Sequence, residues 1–176
     1  MHTSPSWQPA QALYQQNSDH LHASWLSERG SLTTRLRDTW GHVSVDVISE
    51  GLTIPLSHEA SRLALSEADM AWVRCVWLRC QGQPRVYART VIPCWGPLNP
   101  WVQVQCLGRR PLGELLFSAT DVDRSAFEYC AGASWPSPQG AGPGPVLARR
   151  CMFARQGAAL LLTEVFWDVQ SGAPPM

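Results

Sequence analysis

Two segments of this chain share one design, and that design fixes much of what it can fold into. "AWVRCVWLRC", from Ala71 to Cys80, is followed by "QG" and then by "QPRVYARTVIP". Further on, "VLARRCMFAR" is followed by "QG" and then by "AALLLTEVFWD". Each is a run rich in apolar, β-branched and aromatic residues, interrupted by two residues and resumed. This is the pattern of a β-hairpin with a tight two-residue turn. Two such hairpins require an antiparallel sheet.

The stretches between them are shorter and more varied. Asn17-Ser18-Asp19 can cap a helix over about 21 to 29, which Gly30 stops. Ser31 can cap a second helix, with Leu32, Leu36 and Trp40 inward at helical spacing and Gly41 at its end. "HVSVDVIS" alternates Val43, Val45 and Val47 with polar residues, as a half-buried strand does. Residues 57 to 68 fit either a short helix or an irregular stretch. "PLGELLF" opens with Pro111, which suits the first turn of a short helix. Ser134 to Pro145 has the composition of a loop. The expected domain plan is a flexible arm over 1–20, one folded domain over 21–169 and a disordered tail over 170–176. The fold class is α+β, an antiparallel sheet carrying short helices.

Bulk properties narrow the function. A chain of 176 residues, 45% hydrophobic, can bury a sizeable core. Nine tryptophans point to an aromatic core or a lined pocket, with core the expectation. Net charge is zero and no basic stripe is present, which argues against nucleic acid as a partner. No apolar run of about 18 residues exists, so no membrane span is expected. The first twenty residues lack the pattern of a secretory signal. The six cysteines, without CxxC, are therefore expected as reduced thiols in apolar or strand surroundings. His20 and His22 have no partner cluster and are expected at the surface; no metal site is expected.

Two groups of residues carry chemistry. If Gln81-Gly82 is a simple two-residue turn, counting back places Arg74 opposite Arg89, on a face shared with Trp72, Val76 and Leu78. Like charges opposed on an apolar face repel, and burial raises the cost unless an anion sits nearby. Arginine's planar fork suits a carboxylate. The alternative is a different register, or an arginine that reaches solvent along its stem. In the second hairpin, Glu164 shares a face with Leu160, Leu162 and Phe166. A carboxyl in such surroundings can serve as a general acid or base. The same count places Arg149 opposite Glu164, so a plain structural ion pair is the other reading. GxSxG, GxxxxGK[ST], GxGxxG and HExxH are all absent.

Taken together, "SLTTRL", "VSVDVISEG", "AWVRCVWLRCQGQPRVYARTVIP", "LGRRPLGELLF" and "LLLTEVFW" resemble the bacterial chorismate lyases in order and spacing. The resemblance spans about 21 to 169. It implies an antiparallel sheet with helical flaps over a buried ligand pocket. It implies cleavage of chorismate to 4-hydroxybenzoate and pyruvate, the first committed step of ubiquinone synthesis, in the cytoplasm, by a monomer without metal or cofactor. It implies Arg74 and Glu164 as catalytic residues. Arg74 would bind the ring carboxylate, Leu112 would offer its backbone amide, Arg89 would lie near the pocket and steady the enolpyruvyl group, and Glu164 would hydrogen-bond the 4-hydroxyl. Leu32, expected as a flap contact to the ligand, stands where the family often has methionine, and Ala88, expected to crowd the pocket slightly, where a glycine can occur; the loop at 139–145 is longer than usual. A related fold serves as the sensor domain of some transcription regulators. That non-catalytic alternative predicts a DNA-binding domain, and only about twenty polar residues precede the fold.

Overall fold

The computed structural model describes residues 5–10, 12, 24–131, 147–167 and 169. Eight strands form one antiparallel sheet. In chain order they are β1 (Gln8–Pro9), β2 (Val43–Thr53), β3 (Ala71–Cys80), β4 (Gln83–Ile92), β5 (Asp123–Arg124), β6 (Glu128–Ala131), β7 (Leu147–Arg155) and β8 (Ala158–Phe166). Across the sheet the order is β1-β6-β7-β8-β4-β3-β2, with β5 also pairing with β7. Helices α1 (Leu32–Trp40), α2 (Ser57–Arg62) and α3 (Leu112–Ser118) accompany it, with a 3₁₀ turn at Val102–Cys106.

Both expected hairpins form, and their turns explain the Gln-Gly pairs. Gln81 and Gly82 have φ of 51° and 78°, and Gln156 and Gly157 have 50° and 80°. Positive φ at both central residues matches the right-handed twist of the strands. The second hairpin keeps the simple count throughout, so Arg149 faces Glu164. The first does not. Arg79 pairs with Pro84, but Leu78 pairs with Val86, leaving Arg85 as a bulge. A slip of one residue sends every later side chain of β4 to the other face. Arg74 therefore faces Thr90, and Arg89 faces Cys75. The expected Arg74–Arg89 opposition is corrected by this bulge. β2 carries a second bulge at Ile48, beyond which Glu50 pairs with Arg74. Val45 is buried, but Val47, which directly precedes that bulge, is 37% exposed, so the expected burial of all three valines fails there.

α1 is as its sequence demands. The Ser31 hydroxyl accepts from the Thr34 N–H at 3.2 Å, and Gly41 ends the helix at φ 83°. Leu32, Leu36 and Trp40 pack with Val45, Leu78, Val86 and Phe166 on one face of the sheet. On the same face, α3 and the 3₁₀ turn bring Trp101, Val104, Leu112 and Leu116 against Ile92, Phe153 and Leu160. The opposite face packs Val73, Trp77, Tyr87, Leu161, Val165 and Trp167 together. Trp25 stacks on Trp40 at 5.0 Å and Trp72 on Trp95 at 4.7 Å, so these tryptophans act in packing.

Other expectations are modified. The helix expected over 21–29 is seen at 24–26 and has ended before Arg29. Pro111 stands just before α3 as its cap. Within the expected arm, Gln8–Pro9 is hydrogen-bonded to β6. All six thiols are free, but Cys94 and Cys106 are exposed rather than packed among apolar groups. His20, His22, the loop 134–145, the cap at 17–19 and the tail 170–176 lie outside the described residues. Among the described residues no helix is long and apolar enough to cross a membrane.

Candidate active site

The two clusters on the helical face leave a cavity between them. Its floor is the sheet itself, in two rows. One row reads Arg74, Thr90, Leu162, Cys151 across β3, β4, β8 and β7; the next reads Val76, Ala88, Glu164, Arg149. All eight side chains line the cavity, and Leu32, Leu112 and Phe127 close over them. Thus Leu32, Arg74, Leu112 and Glu164, four of the five residues expected at the site, share one space. Two strand spacings and one two-residue step put the Arg74 and Glu164 Cα atoms roughly 12 Å apart. Their side chains can grip opposite ends of a small ring between them. Among the described residues no tryptophan lines it.

The Arg74 end holds a buried cation beside Glu50. Arg74 is 1% exposed. Its Nη2 donates to the Gly108 carbonyl at 2.7 Å. Its Nε lies 3.4 Å from Glu50 Oε2 but lacks the alignment of a hydrogen bond and has no other partner. Burial lowers the Arg74 pKa, and Glu50 offsets part of that. A buried donor left without an acceptor costs about 1–3 kcal/mol. A ligand carboxylate is the acceptor that would relieve it.

At the other end, Arg149 Nε donates to Glu164 Oε2 at 2.6 Å. Arg149 Nη1 donates to the carbonyls of Leu26 and Glu28, at 3.1 and 2.6 Å. The pair therefore orients the carboxylate and also ties down the segment before α1. The ion-pair reading and the functional reading of Glu164 are compatible, because the paired carboxylate still lines the cavity. Beside it, burial first and Glu164 second push the Cys151 thiol up to about 12. That thiol stays protonated and is no nucleophile.

Arg89 is the fifth expected residue, and it does not line this cavity. The bulge at Arg85 turns it to the opposite face. There its Nε and Nη2 donate to the two oxygens of Glu59, at 2.7 and 3.0 Å. Glu59 is fully buried, so the anion that Arg89 requires is a protein carboxylate. Thr90 takes its place in the cavity. Sequence reasoning passed over Thr90, Glu50 and Arg124, all of which depend on register or on a short edge strand. Ala88 does face the cavity, as its place in the pattern implied. Among the described residues no cluster of His, Cys, Asp and Glu could hold a metal ion.

This antiparallel sheet with short helices on one face is a fold also found in solved domains of other proteins. The effector domain of PhnF from Mycobacterium smegmatis superimposes with a TM-score of 0.55 at 13% identity, covering 84% of this chain and 94% of that one. The C-terminal domain of the histidine utilization repressor from Pseudomonas syringae pv. tomato gives 0.52 at 12% identity, covering 77% and 98%. Sequence is more specific than these shapes. The chorismate lyase family model matches residues 1–171, and the chain belongs to that family. A probable chorismate pyruvate-lyase of Hydrogenovibrio crunogenus is 37% identical over 166 residues, covering 92% of this chain and 90% of that protein. Another, from Methylococcus capsulatus, is 38% identical over 157 residues, covering 86% and 97%.

Proposed function

We propose that this chain cleaves chorismate to 4-hydroxybenzoate and pyruvate. The reaction breaks the ether bond at ring carbon 3 and removes the proton on the neighbouring carbon 4. The electrons of that C–H bond form the new ring double bond. The ether electrons leave on the enolpyruvate oxygen, and the enolpyruvate gains a proton on carbon to become pyruvate. Aromatisation drives the step. The protein has to exclude water, hold the dianion in a reactive conformer and stabilise charge on the leaving oxygen.

The observation that carries this reading is the shared floor of the cavity, with Arg74 and Glu164 two strands apart on it. Arg74 would bind the ring carboxylate, helped by the Leu112 amide at the start of α3. Glu164, held by Arg149, would accept a hydrogen bond from the 4-hydroxyl and assist the proton transfer. Leu32 would press on the ring from above. The same reading places the enzyme in the cytoplasm, as a monomer, at the first step toward ubiquinone.

The test is direct. Purified protein is mixed with chorismate, without added metal or cofactor. The benzoate is followed by absorbance and pyruvate through lactate dehydrogenase. Equal amounts of both products are expected, and formation of neither would refute the reading.

A further inference from the structure

The proposed reaction leaves one charge without a partner. Chorismate has two carboxylates, and Arg74 accounts for that on the ring. Arg89 lies on the far face with Glu59 and cannot reach the other. Three arginines line the cavity: Arg74, Arg124 and Arg149. Arg149 is already committed to Glu164 and to the carbonyls of Trp25, Leu26 and Glu28. Arg124 is not. It is exposed at the rim, and its Nη1 donates to the Arg29 carbonyl at 2.8 Å. It forms no ion pair with a carboxylate among the described residues.

Its position is specific. Arg124 sits on β5 opposite Phe153 of β7. Its guanidinium lies 5.2 Å from the Phe127 ring centroid, and that of Arg149 lies 4.4 Å from the same ring. Arg124 is thus at the Glu164 end of the cavity. On chorismate the enolpyruvyl ether is attached beside the carbon that bears the hydroxyl. With the ring carboxylate on Arg74 and the hydroxyl on Glu164, the side-chain carboxylate emerges at that same end.

We infer that Arg124 binds the enolpyruvyl carboxylate of the substrate, a role that rests on the proposed lyase reading. It recognises a group that the substrate has and the benzoate product lacks. Its bond to Arg29, just before α1, also links that group to the segment covering the cavity.

The test separates substrate from product. Steady-state constants for chorismate and calorimetric affinity for 4-hydroxybenzoate are measured on the unsubstituted protein, Arg124→Gln and Arg124→Lys. Arg124→Gln should raise KM for chorismate about tenfold to hundredfold, the usual effect of losing a charged hydrogen bond. Its affinity for 4-hydroxybenzoate should stay within about twofold, and Arg124→Lys should recover part of the KM. An unchanged KM would overturn the assignment. So would an equal loss of both ligands, which would mean that Arg124 only supports Phe127 or Arg29. If the unsubstituted protein binds the benzoate but does not turn chorismate over, the lyase reading itself fails, and this role fails with it.

Discussion

Glu164 in mid-strand answers Arg149, which needs a carboxylate in a buried place. In the proposed function it meets a second demand, an acceptor for the hydroxyl of the ring. Removing one partner of a buried pair leaves the other charge uncompensated, at about 3–5 kcal/mol. Glu164→Ala should therefore lower the stability by that amount, read as the urea midpoint. Glu164→Gln keeps the volume and one acceptor. It should cost less stability yet still reduce turnover about a hundredfold or more, the scale of lost proton-transfer catalysis. A variant with full turnover would remove Glu164 from the chemistry. At the opposite end, Arg74→Lys keeps the charge but loses the planar fork. Weaker binding of 4-hydroxybenzoate, by about tenfold or more, is expected in calorimetry.

At the scale of elements, the turns and the bulges do different work. Gly157 sits at φ 80° in the turn that aligns Arg149 with Glu164. A side chain there costs about 1–2 kcal/mol, so Gly157→Ala should melt a few degrees lower. Inserting one residue between Val86 and Tyr87 is the sharper experiment. With the Arg85 bulge kept, it would move every later side chain of β4 one place along, turn Thr90 away and bring Arg89 opposite Arg74. Loss of both turnover and 4-hydroxybenzoate binding is the expected outcome. The hairpins, their turns and α1 were legible in the sequence because their signals are local: Gln-Gly steps, the Ser31 cap, the Gly41 stop. So was the Arg149–Glu164 register, which no bulge disturbs. The Arg74–Arg89 register was misread because a bulge has only a faint local mark. In hindsight Pro84 is that mark, since a proline cannot donate to the ladder of a central strand and settles at bulges. The adjacent Val47 and Ile48 mark the bulge in β2 in the same way, by breaking alternation. Arg124 had no legible signal at all, because a two-residue strand is placed only by its partner.

For the whole molecule, the two faces of the sheet divide the labour. One face holds the cavity, and the other holds charges that serve stability. Burial alone would raise the Glu128 pKa, but hydrogen bonds from Arg150 and Arg62 outweigh it and hold the group below its ordinary value. A carboxylate with a lowered folded pKa stabilises the protein above the unfolded value, and this is lost as pH falls through the folded one. The melting temperature should therefore drop as the solution is acidified below about pH 4.5, the ordinary glutamate value. Glu128→Gln should melt lower at neutral pH and show a shallower acid decline. The bulge at Arg85 has a further meaning for how such a sheet diversifies. Gain of a single codon in β4 beyond the bulge exchanges which side chains the cavity sees, trading a hydroxyl for a guanidinium, while the composition of the strand hardly changes. Insertions and deletions, rather than point substitutions, are then the shortest evolutionary path between ligand specificities on this scaffold.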